Sequence, residues 1–302
     1  MPMVVEDFIG KLHNYKRRKK LLFSQLLHFL AYSIKKPKMQ LNKGMFIISI
    51  DIDVGSRELG VINKGKNDPN VRSHMSEYQV GEIEEVALPL FVTTFTDLRI
   101  PATFAIRGQL TEVSNSNLKL LLKSSVKHDI GAHGYYHRDF TNLSRNEAEN
   151  ELTLISSRMR KFGITPKSFV FPRNRVAHLE LLEKYGYKCY RSRGMHAYGF
   201  MNDCMYIEKQ GQLYDIHPSL RIDQNMNSLF LRKIVDIAVT KKLPFHIWFH
   251  LWDFGETSDS IQKNIQETLF PLLDYVKNKE KSGKLTFETM LSAAEKVEKL
   301  GM

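Results

Sequence analysis

From Met45 onward the chain alternates short β-type runs with helical stretches, and this rhythm admits few architectures. "MFIISI", "PATFAI", "HDIGAH", "SFVFP", "KCYRS", "YDIHPSL" and "PFHIWFHLW" read as strands. "NSNLKLLLKSSV", "SRNEAENELTLISSRMRKFG", "VAHLELLEKYGY", "SLFLRKIVDIAVTKK", "SIQKNIQETLFPLLDYVKNKEKSG" and "TFETMLSAAEKVEKL" read as helices. Parallel neighbours need crossovers of a dozen or more residues, which helices supply. The expectation is an α/β fold of about seven parallel strands, in an open sheet or a closed barrel. In both forms, catalytic groups collect at the C-terminal ends of the strands.

The 302 residues, 42% hydrophobic, suffice for one large core plus an appendage. Residues 1–44 are read as that appendage and residues 45–302 as the domain. The appendage holds ten Lys and Arg against Glu6 and Asp7, a net +8 of the chain's +11, so the domain itself is only weakly basic. Within it, "KRRKKLLFSQLLHFLAYSIKK" spaces Leu22, Leu26, Phe29, Leu30 and Ile34 along one helical face between basic clusters. Such a helix, residues 11–38, either packs on the domain or lies on an anionic membrane surface.

Nucleic acid is not expected as a partner, since the arm lacks basic and aromatic residues interleaved on a reading module. The two cysteines, Cys189 and Cys204, form no CxxC pair, which excludes a thiolate zinc site and fits a reducing compartment. The first apolar stretch follows a charge run and lacks a small-residue cleavage site, so a cytoplasmic location is expected.

"FIISIDIDVG" ends an apolar strand with Asp51 and Asp53 on one face, within about 7 Å of each other. Two carboxylates so close repel unless a cation, a shared proton or solvent intervenes. "HDIGAHGYYH" places His133 and His137 four residues apart at another strand end, a spacing that on a helical turn aims both imidazoles at one point. "PFHIWFHLW" repeats the spacing with His246 and His250. One carboxylate and two imidazoles make a three-ligand site for zinc or a similar divalent ion. The other carboxylate is then left as a base and a distant histidine as an acid, a constellation for metal-assisted hydrolysis.

"SIDIDVG", "HGYYH" followed by "RDFTNLS", "SFVFPRN" and "HIWFH" stand in the order and spacing of the polysaccharide deacetylase family, carbohydrate esterase family 4, which this chain resembles from about Met45 to Asp253. The resemblance implies a distorted (β/α) barrel that removes N-acetyl groups from sugars. By position it makes Asp51 the base, Asp53, His133 and His137 the metal ligands, and His250 the acid, with His246 the competing choice. Arg173 in "FVFPRN" follows its proline where the family has the arginine before it, and it would orient Asp51. Asp215 in "YDIHPSLR" would support His250, with His217 or Arg221 lining the cleft.

The metal expected is zinc, with cobalt, nickel, manganese or iron as alternatives. The substrate expected is an intracellular N-acetylated sugar, nucleotide- or lipid-linked, met at the inner membrane face if the basic helix binds there. A deformylase or other linear amide hydrolase, and a catalytically silent glycan-binding protein, are the alternatives. Residues 56–85, including His74, read as a site-flanking insertion. Ser144 and Glu147 form a capping box that starts the helix after the histidine motif.

Overall fold

The computed structural model describes residues 37–53, 83–113, 116–192, 205–255 and 257–302. The basic helix, most of the 56–85 insertion with His74, and Cys204 lie outside them.

All seven expected strands are present: β1 (Gly44–Ile52), β2 (Thr103–Ile106), β3 (Asp129–Ala132), β4 (Ser168–Val170), β5 (Cys189–Arg191), β7 (Leu213–Ile216) with β8 (Leu220–Arg221), and β9 (Pro244–His250). Two more, β6 (Ile207–Gln210) and β10 (Leu285–Glu288), complete a curled sheet in the order β6-β7-β5-β4-β3-β2-β1-β9-β8, with β10 also against β1. Every pairing is parallel except β6 with β7. This is the distorted (β/α) barrel expected, open between β6 and β8.

The helices of six or more residues are α1 (Leu88–Asp97), α2 (Ser116–Lys123), α3 (Arg145–Arg160), α4 (Leu179–Lys184), α5 (Ser228–Lys241), α6 (Ser258–Asn264), α7 (Phe270–Lys281) and α8 (Met290–Lys299). None among the described residues is long and apolar enough to cross a membrane. The capping box at the start of α3 forms as expected, with the Ser144 N–H donating to Glu147 at 2.9 Å.

β1 is the axis of the fold, and all nine of its residues are buried. Its period-two alternation sends Phe46, Ile48, Ile50 and Ile52 outward into the core beneath the helices. Met45 and Ile47 point inward, against Ala105, Val170, Cys189, Tyr214 and Ile216. The inward row continues as Ser49, Asp51 and Asp53, so one strand is apolar at the bottom of the lumen and acidic at the top. The lower end is plugged by α8, whose Met290, Ala293, Ala294 and Val297 join the inner cluster with Met39 and Leu41 from the strap before β1. The packed unit thus reaches back at least to Met39, ahead of the boundary read at residue 45.

Candidate active site

The histidine motif does not make the helical turn that its spacing suggests. β3 ends at Ala132, and the chain loops back through Gly134 at φ +68° and His137 at φ +58°. A Cβ at Gly134 would lie 3.2 Å from Pro172 Cγ and 3.4 Å from Glu151 Oε2, so the close approach and the positive φ both favour glycine. Buried Glu151, on α3, clamps the loop by accepting the N–H groups of Tyr135 (2.7 Å) and Tyr136 (2.9 Å). The two imidazoles converge through a left-handed loop held by a carboxylate.

Donor atoms of Asp53, His133 and His137 lie within 4.8 Å of one another. His137 Nε2 is 3.2 Å from Asp53 Oδ2, and His133 Nε2 is 4.0 Å from it. His133 Nδ1 donates to the Val170 carbonyl at 2.8 Å, which leaves its Nε2 as a bare lone pair. That Nε2 and Asp53 Oδ1 are buried with no hydrogen-bond partner. Each such orphan costs about 1–3 kcal/mol if nothing satisfies it. Burial raises the Asp53 carboxyl, with Asp51's charge adding to it, and burial lowers both histidines, His137 most. A cluster of lone pairs that resists protonation at its histidines and lacks hydrogen-bond donors fits a divalent cation such as zinc.

Asp51 belongs to a second arm. Burial pushes its carboxyl up, but Arg191, His133 and His250 more than offset this and hold it at about 2. Arg191 is wholly buried and donates to both Asp51 oxygens, at 2.8 and 2.5 Å, and to Ser49 Oγ at 2.9 Å. Asn174 Oδ1 accepts from Arg191 Nε and a terminal nitrogen, at 3.3 and 3.0 Å. Ser49 Oγ lies 2.7 Å from His246 Nε2, and burial depresses that imidazole to about 3, so His246 is a neutral support beneath the site.

The arginine that pairs with Asp51 is therefore Arg191, where sequence reasoning pointed to Arg173. After Pro172 the backbone turns left-handed at Arg173 (φ 58°) and Asn174 (φ 53°), which carries the Arg173 side chain to the exposed surface. Its charge reaches His137, whose proton affinity it helps to lower. Arg191 shares the inward parity of Cys189 on β5 and so points into the lumen.

The third arm is His250, which stands in register with Asp51 across β1 and β9. Its Nε2 is 3.8 Å from Asp51 Oδ2. Asp253 Oδ2 accepts from the His250 backbone N–H (2.9 Å) and lies 3.2 Å from Nδ1, while Arg221 donates to both Asp253 oxygens at 3.0 and 2.5 Å. Burial lowers the His250 imidazole, but Asp53 and Asp253 outweigh it and raise the value.

Asp215, expected to support His250, instead accepts the Ser192 N–H at 3.2 Å and faces His217 Nε2 at 3.4 Å, and burial pushes it up to about 7. Its strand, β7, lies two strands beyond β4, across the lumen from β9. The supporting acid is Asp253, three residues after the histidine, and that short spacing is the signal that would have found it. Arg107, wholly buried just after β2, was also missed; its charge helps to lower His137 and offsets part of the rise at Asp53.

Residues 78–190 match the family model described as polysaccharide deacetylase. That segment holds the histidine pair, Glu151 and Arg173, while Asp51, Asp53, Arg191 and His250 lie outside it. A peptidoglycan deacetylase of Helicobacter pylori is 27% identical over 107 residues, 34% of this chain and 36% of that protein, so the likeness spans about a third of each. A Mycobacterium smegmatis structure described as a polysaccharide deacetylase superposes with a TM-score of 0.66 at 14% identity, over 88% of this chain and 96% of that one. An allantoinase structure has the same fold, with a TM-score of 0.61 at 13% identity over 87% and 94% of the two chains. In sequence the likeness to the polysaccharide deacetylases lies in residues 78–190, and over most of the chain the fold is one that structures of a polysaccharide deacetylase and an allantoinase share.

Proposed function

We propose that this chain is a metal-dependent hydrolase that removes the acetyl group from an N-acetylated sugar. The observation that carries the reading is the meeting of three arms at one strand-end surface. These are the orphaned donor set of Asp53, His133 and His137, the arginine-held Asp51, and His250 in register opposite.

Asp53 Oδ2 or Oδ1, His133 Nε2 and His137 Nε2 would hold the ion. A divalent cation bound there would polarise the amide carbonyl and offset the charge that develops on its oxygen. Asp51 takes the proton of the attacking water. Arg191 fixes the position and ionised state of Asp51 at the expense of base strength, because a carboxyl near 2 is a weak base. His250, whose proton affinity Asp53 and Asp253 raise against the effect of burial and which stacks on Trp252 at 4.4 Å, donates its Nε2 proton to the leaving nitrogen. The products are acetate and a free amino sugar.

We extend the reading to an intracellular, lipid- or nucleotide-linked sugar. The basic amphipathic pattern of residues 11–38 supports the lipid-linked form at the inner membrane face. Deletion of residues 1–40 is expected to release the protein from anionic vesicles, and unchanged partitioning would refute that extension.

The deciding experiment pairs elemental analysis with product assay on the full chain, stripped with chelator and reloaded with zinc, beside Asp53→Ala and His133→Ala. About one ion per chain in the wild type, lost from both variants, together with acetate release from an N-acetylated sugar, is the expected result. Formate as the only product would move the assignment to a deformylase. A wild-type chain that holds no ion would remove the hydrolase reading and leave a glycan-binding protein.

A further inference from the structure

The chain has two tryptophans, and both flank His250. Trp252 stacks on its imidazole at 18°, with ring centroids 4.4 Å apart. Trp248 meets it edge-on at 5.4 Å and has a second set of neighbours. It shares the inward face of β9 with His246 and His250, two residues to either side, and is 8% exposed.

Two guanidinium groups pack on the Trp248 ring, Arg191 at 4.3 Å and Arg221 at 5.3 Å from its centroid. Each belongs to a different half of the site. Arg191 grips both oxygens of Asp51, and Arg221 grips both oxygens of Asp253, which in turn holds His250. Two like charges drawn toward one place repel, and the negative face of an indole offsets part of that repulsion, most strongly at the wholly buried Arg191 and less at Arg221, whose side chain is 47% exposed. A leucine in the same place would fill space without attracting either cation.

We propose that Trp248 is a positioning residue whose ring ties Arg191 of the base arm to Arg221 of the acid arm, so that Asp51 and His250 keep a fixed separation. The proposal rests on the deacetylase reading for the meaning of the two arms, and the contact itself is testable without a substrate.

Two measurements on the zinc-loaded full chain test it. In the first, Trp248→Leu is expected to lower kcat on an N-acetylated sugar roughly thirtyfold while KM moves less than about threefold. Trp248→Phe, which keeps an aromatic face, is expected to recover most of the loss and remains informative if the leucine variant fails to fold. Equal losses in the two variants, or a raised KM with unchanged kcat, would overturn the proposal, since a plain wall of the cleft behaves that way.

In the second, the Trp252→Phe protein leaves Trp248 as the sole tryptophan, and its emission is read with Arg191→Lys and Arg221→Gln added separately. Each substitution is expected to move the emission maximum. Emission unmoved by either one overturns the bridge, whatever the sugars do. Emission that moves with both, while no N-acetylated sugar is turned over, supports the bridge and counts against the deacetylase reading instead.

Discussion

At the lower end of the lumen buried Asp129 has its oxygens spoken for, whereas at the upper end buried Asp53 does not. Asp129 Oδ2 accepts from Thr103 Oγ at 3.0 Å and Ser168 Oγ at 2.6 Å, and its carboxylate also receives the Leu291 N–H in the first turn of α8. It anchors the first turn of α8 in the barrel floor, and Thr103 Oγ beside it accepts the Met290 N–H at 2.8 Å. Asp53 is as deeply buried, yet Oδ1 meets no donor, and Oδ2 lies 3.2 and 4.0 Å from the Nε2 atoms of His137 and His133. Burial raises both carboxyls, so burial and pKa direction do not separate a structural acid from a site acid. The unspent lone pair does.

The contrast can be broken hardest from above. Asp53→Asn is expected to cut acetate release by at least about a thousandfold and to abolish zinc retention, with the chelator-stripped protein melting no lower than the wild type. A clear fall in that melting temperature would make Asp53 a structural acid like Asp129. From below, Asp129→Ala is expected to destabilise the fold by about 2–3 kcal/mol, because two hydroxyls and the end of α8 lose their acceptor. Zinc stoichiometry and kcat per folded molecule should not change, and loss of zinc would show that the two ends are not independent.

A pH-dependent effect concerns His246, which lies between the two ends. Its folded value of about 3 is below the unfolded 6.5, so on acidification the unfolded chain takes up this proton first. Stability from this group is complete above pH 6.5 and is lost as pH falls toward 3, at about 1.4 kcal/mol per pH unit. Thermal melts between pH 7 and 4 should show a shallower slope in His246→Gln than in wild type. Equal slopes would mean that His246 titrates normally.

Much of the upper end was legible in the residues, and nothing of Asp129's part in the lower end was. Period-two alternation placed Asp51 and Asp53 on one face, and the strand ends located His133, His137 and His250. What escaped was set by distant or local geometry. The spacing of four in "HGYYH" read as a helix because i and i+4 share a helical face, but Gly134 and the Glu151 clamp make a loop do the same work. Arg191 lies 140 positions from Asp51, and only the inward parity of Cys189 and Arg191 on β5 could have proposed it.

Helix α1 was absent from the reading because Val92, Thr93, Thr94 and Thr96 are poor helix formers, and the burial of Phe91 and Phe95 overrides that preference. β10 was absorbed into the helix after it, since "LTFE" is four residues long and Thr289 caps α8 directly behind it. The long helix read from Ser260 to Gly283 is present as one helical run, which widens to a π-helical stretch at Ile265–Leu269 just before Pro271.

The pairing of β1 sets a schedule for how the molecule is made. Its upper edge waits for β2, one whole side waits for β9, and its lower edge waits for β10, so Ile47 pairs with His246 and Glu288. At a synthesis rate of about 5–20 residues per second, β1, which carries Asp51 and leads into Asp53, spends roughly 10–50 s without those last two neighbours. In that interval a run of isoleucines has open strand edges, which are templates for association with other chains. Asp51 meets His250 only when β9 docks, and closure of the barrel and assembly of the proton-transfer pair are therefore one late event in the life of the nascent chain.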